Sequence, residues 1–140
     1  MVRRVLGKFL GLPRAERKLV LRAIPTLVHS VVSLKLLGFR RSFRRSTPVV
    51  PMNSTEMDKL QLHEAAQAIR RVSNVLGIGT CLSRSLALRK MLDKKGIRTE
   101  LRIGFDKSDD EFRAHAWLEF NGTPIGDETI DGYDVFAGIK

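Results

Sequence analysis

At 140 residues the chain is long enough for one domain, with room for an appended arm. Its formal charge of +10 is gathered at one end. Residues 1–50 hold 12 of the 25 Lys and Arg and a single acid, Glu16, while the remainder is close to neutral. Cys81 is the only cysteine, which excludes an intramolecular disulfide and suits a reduced, cytoplasmic setting.

The basic third lacks the interleaved aromatics of a single-strand nucleic-acid platform. It also shows no helix-turn-helix or zinc-finger spacing, so nucleic acid is not the expected partner. An anionic membrane surface or an acidic peptide fits the charge at least as well. The opening MVRRVLGKFLGLPR is a poor signal peptide, because Lys8 interrupts its short apolar run and no small-residue cleavage site follows.

Residues 15–37 predict a long helix, kinked near Pro25. It is apolar on most sides, with Arg22, Thr26, His29, Ser30 and Ser33 forming a narrow polar seam, so something must cover it. Arg22, His29, Lys35 and the proline argue against a transmembrane span. Gly38 is a plausible stop, followed by a basic, proline-punctuated connector, FRRSFRRSTPVVPMN. A second helix is expected from about Thr55 to Leu76, capped by Ser54 or Thr55. Its buried stripe would be Met57, Leu60, Ala65, Ala68, Ile69, Val72 and Leu76. Gly77 ends it. A third helix covers about 80–95 and stops at Gly96. Strands follow at about 98–105 and 111–120, then a short one at 124–128 after Asn121-Gly122. The expected division is a helical arm and connector over 1–52, packing on a core domain over 53–140 that would be thin without it.

Chemistry concentrates in the second half. Cys81 opens its helix after Gly77-Ile78-Gly79-Thr80, where backbone N–H groups and the positive dipole end favour a thiolate. In the strand FRAHAWLEF, alternation puts Phe112, Ala114, Ala116, Leu118 and Phe120 on one face, and Arg113, His115, Trp117 and Glu119 on the other. His115 therefore shares its face with Trp117, whose ring can shield a site from water. Imidazole is suited to take the thiol proton and return it to a leaving amine. Asp127 is the candidate to fix the imidazole tautomer.

Hairpin register tests that choice. A two-residue Asn121-Gly122 turn pairs Phe120 with Thr123 and sends Asp127 to the wrong face; a three-residue loop, or a bulge at Gly126, corrects it. Such an irregularity is expected. With a tight, regular turn, Asp131 or Asp134 would replace Asp127, or Cys81 and His115 would act as a dyad. Singly, each residue has a plainer role: a buried small hydrophobe, a structural strand histidine, a turn aspartate. Their order, the helix-start placement and the strand face carry the joint catalytic reading. Arg84, one turn into the cysteine helix, would contact a substrate carbonyl or acidic group, or make a salt bridge. His29 and His63 read as surface or packing residues. No cluster shows metal-ligand spacing, and no cofactor is called for.

The string Cys81-Leu82-Ser83-Arg84-Ser85-Leu86-Ala87-Leu88, with His115-Ala116-Trp117-Leu118-Glu119 and Gly126-Asp127, resembles the transglutaminase-like B2 proteins of lasso peptide biosynthesis. The leucine-rich first helix and its Phe-Arg-Arg-Ser-Phe-Arg-Arg ending are similar to that family too, so the resemblance spans nearly the whole chain. It implies an α+β transglutaminase/papain-like cysteine peptidase fold that removes the leader from a ribosomally made precursor peptide. A separate leader-recognition protein would deliver the leader, and an ATP-dependent macrolactam cyclase would act next. By resemblance Cys81 is the nucleophile, His115 the base and acid, and Asp127 the orienting residue. Ser83 departs from the pattern, where proline is expected often, and that bears on the start of the helix. The alternatives are a transglutaminase transferring the acyl group to an amine, and a noncatalytic peptide- or membrane-binding adaptor.

Overall fold

The computed structural model describes residues 2–44, 56–106, 113–126 and 132–139. Four helices precede a small sheet: α1 (Val2–Leu10), α2 (Arg14–Arg44), α3 (Glu56–Leu76) and α4 (Cys81–Asp93), then β1 (Glu100–Asp106), β2 (Arg113–Phe120), β3 (Thr123–Pro124) and β4 (Tyr133–Ile139). The architecture is α+β, with an antiparallel sheet ordered β3-β2-β1-β4.

The long helix breaks where expected, at Gly38, and differs from expectation at Pro25. Backbone angles stay helical through Pro25, and the interruption lies at Gly38 (φ 72°, ψ 172°). Proline removes one i→i−4 bond, which a helix anchored along its inner face can lose. Beyond Gly38 the helix resumes to Arg44, so the first part of the expected connector is helical. Two elements were not anticipated. α1 occupies the stretch weighed only as a signal sequence, and β4 follows Gly132 with the alternating Tyr133 and Val135.

The core lies where α2, α3 and α4 meet one face of β2. Ala23, Leu27, Ala65, Ala87, Leu92 and Leu101 are fully enclosed there. Burying one leucine of this kind contributes roughly 2–3 kcal/mol. The stripe of α3 is Leu62, Ala65, Ala68, Ile69 and Val72; Leu60 and Leu76, expected inside, are 63% and 46% exposed. Leu62 and Leu60 lie on different sides of the helix, and the 62, 65, 69, 72 spacing is the one that tracks a single face. Met57 lies in the helix, but its side chain is outside the described residues.

The hairpin corrects another expectation. Phe120 pairs with Thr123 across a two-residue turn in which Asn121 (φ 50°) and Gly122 (φ 77°) are both left-handed. The three-residue loop does not form. One more rung follows, Ile125 N–H donating to the Leu118 carbonyl at 2.8 Å, before Gly126 turns the chain out of the strand at φ 72°. Strand β3 therefore ends at Pro124, short of the expected 124–128, and among the described residues it pairs only with the Glu119–Phe120 end of β2.

Candidate active site

Cys81 is the first residue of α4, and the sequence around it builds a well-defined helix start. Thr80 caps the helix: its hydroxyl accepts from Ser83 N–H at 3.3 Å, while its own N–H donates to Ser83 Oγ at 2.7 Å. This reciprocal box satisfies two otherwise orphaned donors. Ser83, the departure from the expected pattern, is thus a capping residue and is 2% exposed. The first turn-closing bond runs from Arg84 N–H to the Thr80 carbonyl at 3.0 Å. The N–H groups of Cys81 and Leu82 fall before it, outside the helical ladder, next to the half-buried sulfur.

His115 comes from the facing strand. β2 pairs Gly104 with His115, Ile103 with Ala116 and Arg102 with Trp117. Ala116 and Leu118 enter the core, whereas His115 and Trp117 project on the other side, where their rings stack at 6.0 Å and an interplanar angle of 21°. Tyr133 of β4 adds a third ring, 5.4 Å from His115 and 6.3 Å from Trp117. Gly104 makes room for the cluster, since a Cβ there would stand 2.8 Å from Trp117 Cη2 and 3.1 Å from Tyr133 Cβ. The buried indole is held by Glu119, whose Oε1 accepts from Trp117 Nε1 at 3.0 Å and whose Oε2 accepts from Arg102 Nε at 2.9 Å. That bond and the charge of Glu119 hold the Arg102 guanidinium above its usual value, and Glu100 adds to the effect.

The edge of β2 beyond β3 brings helix and strand together. Carbonyls of alternate residues leave the same edge of a strand; Leu118 gives its carbonyl to Ile125, and Ala116, past the end of β3, gives its own to the Ser85 hydroxyl at 3.1 Å. Ser85 lies one turn after Cys81 on the same side of α4. This bond sets the height of the sulfur relative to the strand carrying His115. Around it lies a cavity of about 130 Å³, lined by residues that include Cys81, Arg84, Ser85, His115, Trp117 and Gly126. It takes in residues from both faces of β2, as a cavity wrapped over a strand edge must.

Four of the residues expected from sequence (Cys81, Arg84, His115 and Trp117) thus line one cavity. Asp127 and Asp131 lie outside the described residues. Gly126 has a left-handed φ of 72° just past the end of β3, with no paired bulge there among the described residues. Asp134 pairs with Phe105, itself opposite Ala114, and so takes the alternate face from His115. Sequence reasoning missed Ser85, Tyr133 and Arg70, which also lines the cavity. The period-two pattern after Gly132 could have revealed Tyr133; nothing local marks Ser85 or Arg70. Among the described residues no three His, Cys, Asp or Glu gather to hold a metal.

Comparison with curated proteins and with solved structures gave no match. The sequence pattern of the transglutaminase-like superfamily, whose members are typically cysteine-dependent enzymes, matches residues 25–139. A thiol at a helix start, an imidazole on the adjoining strand and this match over most of the chain place the protein in the transglutaminase-like superfamily.

Proposed function

We propose that the protein is a cysteine peptidase that removes the leader from a ribosomally synthesised lasso precursor peptide. The observation that carries the reading is the shared cavity of Cys81 and His115 at the edge of β2. In the proposed reaction His115 takes the proton of the Cys81 thiol, and the sulfur attacks the carbonyl carbon of the leader–core peptide bond. The tetrahedral oxyanion is held by backbone donors such as the Cys81 N–H. Its collapse breaks the C–N bond, and His115 delivers its proton to the departing amine. A thioester remains on Cys81. Water, deprotonated by His115, then hydrolyses the thioester and restores the thiol. Asp127 is assigned to orient the imidazole through its second nitrogen. Arg84 would bind a substrate carbonyl or acidic group at the cavity wall, and Trp117 would exclude water from beside the imidazole.

This chemistry needs no cofactor. A separate leader-recognition protein would present the precursor, the macrolactam cyclase would take the product, and the setting would be the cytoplasm. Precursor cleavage with the recognition partner supplied is the test, followed by mass spectrometry. Cys81→Ala should lower kcat/KM by three or more orders of magnitude, on the order of what removing a nucleophile costs elsewhere. Undiminished cleavage by that variant ends the proposal. A single heavier, amine-linked product in place of two shorter peptides would reassign the chemistry to acyl transfer.

A further inference from the structure

α2 is apolar on two opposite faces, and the fold uses only one of them. The inner face seals Ala23, Leu27 and Ser30 against α3 and α4. Half a turn away, Leu21, Ile24, Val28, Val32 and Leu36 form an outward stripe, each between 38% and 77% exposed. At helical spacing these five occupy a sector of about 120° and run roughly 22 Å along the axis. One end of the stripe opens into a groove of about 820 Å³ between α1, α2 and the end of α3, where Phe9, Leu12, Val75 and Leu76 add to the apolar wall.

Charge identifies the occupant. Arg14, Lys18, Arg22 and Lys35 share the outward half of α2 and are all exposed. The one acid of the helix, Glu16, lies on the inner side, bonded to Arg71 at 2.6 Å. α1 adds exposed Arg3, Arg4 and Lys8 beside Leu10, 58% exposed, and has no acid. Cations of one sign around an apolar stripe, with a short amphipathic helix alongside, match the requirements of an anionic bilayer surface. The stretch Arg14–Gly38 has the length and composition to cross a membrane. Crossing, however, would pull Ala23 and Leu27 out of a core in which both are fully enclosed. Lying on the surface keeps the core and covers the stripe.

We propose that the outer face of α2, with α1 and the groove, docks the protein peripherally on an anionic lipid surface. Leu21, Ile24, Val28 and Leu36 enter the headgroup–acyl boundary, and the flanking Arg and Lys meet lipid phosphates. The proposal is independent of the peptidase reading, since it uses no residue of the cavity at Cys81.

Co-sedimentation of the full chain with vesicles tests it. One set is phosphatidylcholine alone, and the other is equal parts phosphatidylcholine and phosphatidylglycerol. Binding should be confined to the phosphatidylglycerol vesicles and should weaken with salt. Each neutralised cation, as in Arg22→Gln, should cost roughly fivefold in affinity. Val28→Gln/Leu36→Gln should bind at least about tenfold more weakly, with an unchanged thermal melt. Should the pair melt early, Leu36→Gln alone carries the test, because that residue is 77% exposed. Failure to sediment with phosphatidylglycerol vesicles, equal binding to both sets, or insensitivity to the stripe variants would overturn it. So would stripe-dependent self-association, or a stripe-dependent complex with a protein, in lipid-free solution.

Discussion

The hydroxyl of Ser85 does two jobs with one bond. It satisfies the Ala116 carbonyl that β3 is too short to reach, and it fixes where Cys81 stands relative to His115. Ser85→Ala removes that donor from the buried carbonyl, which costs about 1–2 kcal/mol of stability. Freed of this tie, α4 can slide against β2. Cleavage by Ser85→Ala should therefore fall roughly tenfold in kcat with little change in KM, read by steady-state kinetics alongside a denaturant melt. At this scale the sequence was informative where chemistry selects the residue. A lone cysteine after a Gly-Ile-Gly-Thr loop and a histidine opposite the apolar face of a strand are visible without coordinates. Ser85 and Arg70 were not visible, because their roles depend on partners 31 or more residues away or on another helix.

Elements fail or hold for different reasons. The Asn121-Gly122 turn follows its local chemistry, and the chain leaves the strand at Gly126. There, two demands coincide: a left-handed φ of 72°, and a Cβ position only 2.5 Å from Ala66 Cβ on α3. Gly126→Ala should destabilise the protein by roughly 2–4 kcal/mol, as strain and overpacking add. Pairing it with Ala66→Gly should recover the steric part alone, which thermal melts of the two variants and the pair will resolve. The existence of α2, α3 and α4 was legible from apolar spacing, and the start of α4 from the glycine-rich stretch before it, whereas α1 was not foreseen. β4 was overlooked because the reading closed the sheet after 128, although Tyr133 and Val135 alternate as a strand should. The stripe of α3 was misjudged at Leu60 and Leu76, since a hydrophobic residue near a helix end satisfies the pattern whether or not a neighbour arrives to cover it.

Across the whole molecule, α4 is the hub, packed on α2, α3 and β2, and its far end carries a buried ion pair. Arg89 Nε lies 4.0 Å from Asp93 Oδ2. Burial pushes the Asp93 carboxyl above the ordinary carboxylate range, while Arg89 and Arg98 pull it down by less. Burial likewise lowers the Arg89 guanidinium, against the pull of Asp93. The folded protein thus holds the Asp93 proton more tightly than the unfolded chain. Its stabilising contribution is full below the unfolded value of 3.8 and is lost as pH rises through the raised folded value. Melting temperature followed from neutral pH downward should show this component in the parent protein and lack it in Asp93→Asn. The fold class could be read from the order of helices and strands, but the packing of α2 could not, because two apolar faces on one helix do not say which is the inner one.

Trp117 is the only tryptophan in the chain, and its ring stacks 6.0 Å from that of His115, 21° from parallel. The molecule therefore carries a built-in optical gauge of the packing around its histidine. Intrinsic fluorescence alone can follow whether that corner of the fold is intact, with no label and no substrate, and Glu119 keeps the gauge in register by accepting from the indole N–H.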